Sequence, residues 1–187
     1  MKNKKTAVLL YPLFSEYELS VALSILMQGN KEIVTVGVDH QPVKGESGLT
    51  CLPDMSVDEV NVEEIDSLLL PGCMDVGILI DEQKWFDFIK EVTNEDTIVA
   101  SISSSPFLLA KAGVLKGKKY TVGLPEEALA ELGIFEIEHY CKDAVVQDGN
   151  FITARGSGFI QFGKLFGEAL GLEFDMNWYK PRNNPSF

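Results

Sequence analysis

Short apolar runs rich in β-branched residues alternate along this chain with stretches of helical periodicity. Residues 6–11 and 32–38 read as strands, with a helix, Glu16–Gln28, between them that is apolar on most sides. A third strand covers 68–70 and ends at Pro71-Gly72. Residues 84–92 form an amphipathic helix, 97–102 a strand and 106–112 a helix. Residues 145–147 and Phe151–Ala154 form a hairpin around Asp148-Gly149-Asn150, where glycine supplies the positive φ. Residues 159–170 are the last long helix. Strands that alternate with helices predict an α/β fold: a mostly parallel sheet with helices on both faces. Such sheets carry their sites outside the carboxyl ends of the strands.

The length of 187 residues suits one domain, 1–187. Pro181, Asn183, Asn184 and Pro185 predict an extended arm over 175–187. Sixteen Lys and Arg against 28 Asp and Glu give a net charge of −12. That field repels phosphate backbones and anionic lipid, so neither nucleic acid nor membrane is an expected partner. The basic start and the run 7–10 resemble an export signal, but the run is short and no small-residue cleavage site follows. It reads as a buried first strand, and the expected location is the cytoplasm. Cys51, Cys73 and Cys141 lack metal-ligand spacing and read as reduced thiols. No metal or cofactor is expected.

The chemistry-bearing stretch is Ser101-Ile102-Ser103-Ser104-Ser105-Pro106. A strand runs into a helix with almost no loop, and Pro106 suits a first helical turn. A nucleophile elbow needs small residues two before and two after the nucleophile, because the turn crowds them. Ser101 and Ser105 meet that need around Ser103. The competing reading is a serine N-cap and nothing more. Glu18 also has two readings. Ser15-x-x-Glu18 fits a capping box, and a buried acid in a cleft fits a functional site.

The segment around Ser103 resembles the elbow of the DJ-1/ThiJ/PfpI family, usually Ala-Ile-Cys followed by His or Ala and then Gly. Ser103 falls on the cysteine. Three more segments agree in order: Phe14-Ser15-Glu16-Tyr17-Glu18-Leu19, Leu69-Leu70-Pro71-Gly72-Cys73, and Asp148 to Gly156 with its Thr153-Ala154-Arg155-Gly156 end. The resemblance implies a flavodoxin-like fold and a homodimer. It also implies Glu18 as the site carboxylic acid and a pocket lined by Gly72, Cys73 and Ser104.

Three departures change the expectation. Serine replaces the cysteine, Cys73 replaces the second glycine of the Pro-Gly-Gly turn, and the histidine of many members is missing. The sequence reads the same whether Ser103 is natural or replaces a cysteine. His40 lies in a polar turn and His139 in an acidic segment, neither linked to the elbow. Serine without an adjacent base lacks activation. The expectation is therefore a protein without ordinary cysteine catalysis that binds a small carbonyl or anionic metabolite, or acts as a stress-associated interaction protein. The alternative is a family enzyme (glyoxalase or deglycase, amide-type hydrolase, isocyanide hydratase) using Ser103 or Cys73.

Overall fold

The computed structural model describes residues 4–180. The first strand, β1 (Lys5–Leu9), leads into α1 (Glu16–Gln28) and β2 (Ile33–Gly37). Three two-residue strands follow: β3 (Val43–Lys44), β4 (Thr50–Cys51) and β5 (Met55–Ser56). Next come β6 (Ile65–Leu70), α2 (Gln83–Val92), β7 (Ile98–Ile102) and α3 (Pro106–Lys111). The last elements are α4 (Glu126–Leu132), β8 (Val145–Asp148), β9 (Phe151–Ala154) and α5 (Phe159–Ala169).

Seven strands form one sheet in the order β5-β2-β1-β6-β7-β9-β8, while β3 and β4 pair separately. All neighbours in the sheet are parallel except β8 and β9. The central strands are buried on both faces: Ala7, Val8 and Leu9, Leu68, Leu69 and Leu70, and Val99 and Ala100 are essentially inaccessible. Continuous apolar runs are what a doubly covered parallel sheet requires. The β1-α1-β2 crossover steps along the sheet in one direction and β6-α2-β7 in the other. Right-handed crossovers in opposite directions put α1 and α2 on opposite faces. On the first face α5 packs against α1, and on the second α2 packs against α3.

Reading the start of the chain as a buried strand agrees with β1, which sits between β2 and β6. The β8–β9 hairpin turns at Gly149, at φ +59°. The short strands β3, β4 and β5 and the helix α4 were not expected, because two-residue strands and a seven-residue helix carry too little periodicity to read. The tip between β3 and β4 is held down by the Glu16 carboxylate, which accepts from the Ser47 N–H at 3.0 Å and the Leu49 N–H at 3.2 Å. Part of the expected arm is described. Met176–Tyr179 forms one 3-10 turn, and the Tyr179 hydroxyl donates to Ser24 Oγ at 2.7 Å. Residues 181–187 lie outside the described residues.

Candidate functional site

Ser103 stands between β7 and α3 with φ +63°, in the left-handed region that a serine rarely occupies. Such a residue costs about 1–3 kcal/mol and persists only where its surroundings force it. Here the Ser103 N–H donates to the Ala154 carbonyl at 2.7 Å, and its carbonyl accepts from the Gly123 N–H at 2.6 Å. A Cβ on Gly123 would lie 3.1 Å from the Ser103 carbonyl carbon, so this approach uses the absence of a side chain. Ser104 and Ser105 are buried, and Ser103 keeps partial access to solvent.

Ser105 stands at the N-cap of α3, but its side chain makes no capping bond. Ser105 Oγ bonds to the Leu70 carbonyl at 2.9 Å, the Ile102 carbonyl at 2.7 Å and Ser101 Oγ at 2.8 Å. Small hydroxyls at these two positions therefore stitch the elbow to the end of β6. Ser104 Oγ donates to the Cys73 carbonyl at 2.9 Å and accepts from the Cys73 N–H at 3.0 Å.

Glu18, at 2% exposure, reaches the same place from α1. The capping box does not form: Ser15 Oγ donates to Glu46 Oε1 at 2.7 Å, and Glu18 turns inward. Its Oε2 accepts from the Gly72 N–H at 2.8 Å and its Oε1 from the Tyr17 hydroxyl at 3.1 Å. Ser103 Oγ lies on the same side of Gly72, 2.9 Å from where a Cβ there would stand. Burial raises the pKa of this carboxyl; the bonds from Gly72, Ser103 and Tyr17 pull it partly back, and the charge of Glu46 adds to the rise. A raised carboxyl favours the fold most below its ordinary range, and that contribution is lost as pH rises through the raised value.

Glycines make the room. A Cβ on Gly72 would collide with Glu18 Oε2 and stand 2.6 Å from Ser103 Cβ. One on Gly156 would stand 2.5 Å from Glu18 Oε1 and 2.8 Å from the Tyr17 hydroxyl.

Cys73 joins the site through its backbone, not its sulfur. The thiol bonds to the carbonyls of Pro12 and Asp75, each at 3.3 Å. Burial, with the nearby charges of Asp75 and Glu46, pushes its pKa up to about 11. It stays a neutral thiol at physiological pH, without nucleophilic character. The turn N–H groups of Gly72 and Cys73 are already engaged by Glu18 and Ser104. His40 pairs with Glu59 at 2.7 Å and His139 with Glu136 at 3.6 Å. Among the described residues no cluster of three or more His, Cys, Asp or Glu could hold a metal, and no helix is long and apolar enough to cross a membrane.

Sequence reasoning passed over Tyr17 and Glu46. Tyr17 sits inside the acidic motif, but nothing in the string says its ring stacks edge-on against Phe159, at 5.6 Å, with its hydroxyl on Glu18. Glu46 arrives through the unexpected hairpin tip. Tyr17→Phe should raise the Glu18 pKa further, since it removes a donor to the carboxylate. Carbon-13 NMR titration of labelled glutamates, with Glu18→Gln to assign the signal, measures it; an unchanged or lowered value would mean the hydroxyl does not act on the carboxyl.

Comparison with known proteins agrees with this fold. The model of the DJ-1/PfpI family matches residues 4–169. An uncharacterised protein of Methanocaldococcus jannaschii is 30% identical, over 89% of this chain and 80% of its own. The protein/nucleic acid deglycase 2 of Escherichia coli is 29% identical, over 82% of this chain and 89% of its own. The crystal structure of a ThiJ/PfpI family protein from Bacillus anthracis covers 100% of this chain and 93% of its own with a TM-score of 0.82, and at 24% identity it speaks for the fold. With a mostly parallel sheet, a matched family model and relatives along most of its length, the chain belongs to the DJ-1/PfpI family.

Proposed function

We propose that the Ser103 site binds a small neutral carbonyl compound and performs no thiol-type catalysis. The observation that carries this reading is the partner of Ser103. Its hydroxyl and the Glu18 carboxyl converge on Gly72, where an added Cβ would stand 2.9 Å from Ser103 Oγ and collide with Glu18 Oε2, and the pKa of that carboxyl is raised. A carboxylate is a weak base toward an alcohol, and an alkoxide is out of reach without a stronger one. The Ser103 hydroxyl is instead a neutral donor suited to a carbonyl oxygen. Both histidines are paired with glutamates, and the Cys73 thiol is turned to backbone carbonyls. The negative charge of Glu46 is felt at Glu18, Tyr17 and Cys73, which disfavours an anionic ligand. The deglycase relative keeps the enzymatic alternative in view, with Ser103 as its nucleophile; no base beside Ser103 supports it.

The test uses dihydroxyacetone as the neutral probe and pyruvate as the anionic one. Dihydroxyacetone at millimolar concentration should shift the amide resonances of Gly72 and Ser104, pyruvate should not, and methylglyoxal should not be turned over. Robust methylglyoxal turnover that Ser103→Ala abolishes would overturn the proposal.

The proposed setting is the cytoplasm, and the proposed assembly a homodimer. Light scattering at micromolar concentration should give twice the chain mass; a clean monomer at high concentration would count against the dimer.

A further inference from the structure

A cavity of about 480 Å³ opens outside the carboxyl ends of β1 and β2. Its size falls within the range of small-molecule sites, and its place is where open α/β sheets bind ligands. Ser103, Glu18, Gly72, Cys73 and Ser104 take no part in lining it. Leu10 and Tyr11 after β1, Val43 of β3, Leu79 and Trp85 make apolar walls. The Tyr11 and Trp85 rings meet edge-to-face with centroids 5.8 Å apart, and each is 1% exposed. The Tyr11 hydroxyl is bonded to the Pro71 carbonyl. These rings form a rigid aromatic wall whose hydroxyl is already satisfied, so most of what they offer a ligand is apolar surface.

The polar members set the sign of charge. Asp39 and Glu82 line the cavity against a single ammonium, Lys44. The nearby Lys84 does not neutralise them, because it is held by Asp58 at 2.5 Å. The fields of Asp58, Glu82 and Asp39 all act together on Lys84, which shows that these carboxylates share one negative region. An apolar aromatic recess beneath two carboxylates complements a cation on a ring.

We propose that this cavity is a second small-molecule site, one that takes an aromatic ring bearing a primary ammonium group. The site is independent of the reading given to Ser103.

Phenethylamine is the probe, with phenethyl alcohol as its neutral counterpart and phenylpropionate as its anionic one. Binding is read from Trp85 fluorescence in a Trp178→Phe background, since Trp178 is exposed and would add an unrelated signal. Phenethylamine has about nine heavy atoms and should bind with Kd of about 0.1–1 mM. The alcohol should bind more weakly and phenylpropionate most weakly. Asp39→Asn with Glu82→Gln should weaken the amine about tenfold and leave the alcohol within about twofold. Val43→Phe should fill the recess and abolish binding of both. If that variant does not fold, the charge variant alone decides. Ser103→Ala should leave the amine's Kd unchanged, so failure here and failure at the serine are separable. Equal affinities for the three probes, no binding at ten times the expected Kd, or an unchanged Kd in the charge variant would overturn the proposal.

Discussion

Ser103→Cys should create the most reactive thiol in the chain and the first to reach a sulfinic acid under peroxide. The backbone at this position is already committed to φ +63°, fixed by bonds to Ala154 and Gly123, so the sulfur takes the place of the partly exposed hydroxyl. A thiol starts from a pKa of about 8.5, whereas a serine hydroxyl starts many units higher. Glu18, where it carries its proton, can donate to and stabilise a thiolate, and its raised pKa widens the pH range over which it does. The native thiols compete poorly. Burial raises Cys51 above its ordinary value, with the charge of Glu16 adding to it, and Cys73 is pushed up to about 11. Iodoacetamide labelling against pH, read by mass spectrometry, should therefore modify residue 103 at a lower pH than residues 51, 73 and 141, by one unit or more, or about tenfold in thiolate population. Peroxide should then oxidise the same site first. An unreactive thiol at 103 would show that the carboxyl does not donate to this position. Glyoxalase activity is not expected to appear in this variant, since the turn N–H groups of Gly72 and Cys73 remain engaged.

The second large effect lies in the packing that holds α1, and with it Glu18, against the rest of the fold. Helices α1 and α5 pack closely where Gly163 and Gly167 leave space. A Cβ on Gly163 would stand 2.8 Å from Val21 Cγ1 and 2.9 Å from the backbone nitrogen of Ala22. The first neighbour is a stiff β-branched side chain and the second is main chain, so neither yields cheaply. Gly163→Val adds three carbons there and should destabilise by about 3 kcal/mol, at the upper end of ordinary overpacking. For a domain of this size that lowers Tm by about 6–12 °C. Lys164→Val, on the exposed side of the same helix, should cost under about 1 kcal/mol. Differential scanning calorimetry of the two variants checks the claim; equal melting of both would mean that α1 has room to move aside.

What the sequence determined by itself was the frame. Short apolar runs at 68–70 and 98–100, alternating with helical patterns, read as strands buried on both faces, so the parallel sheet and its helices were legible in the string. The position of Ser103 was legible too, because a strand entering Pro106 through three serines leaves no length for a loop. Tertiary structure decided the rest. Whether Glu18 capped its helix or entered the site depended on which donors lay across the sheet, and the Gly72 N–H, 54 residues away, won. Cys73 occupies a motif position, but the direction of its sulfur follows from the carbonyls of Pro12 and Asp75, which no spacing rule relates to it. Glu46 and Tyr17 became neighbours of the site only because a two-strand hairpin folds back over the start of α1 and the Tyr17 ring rests on Phe159 of α5. Local pattern carries the period of burial along each element. Which polar groups meet between elements is a matter of three-dimensional distance, and that distance also gave the acid beside Ser103 its raised pKa.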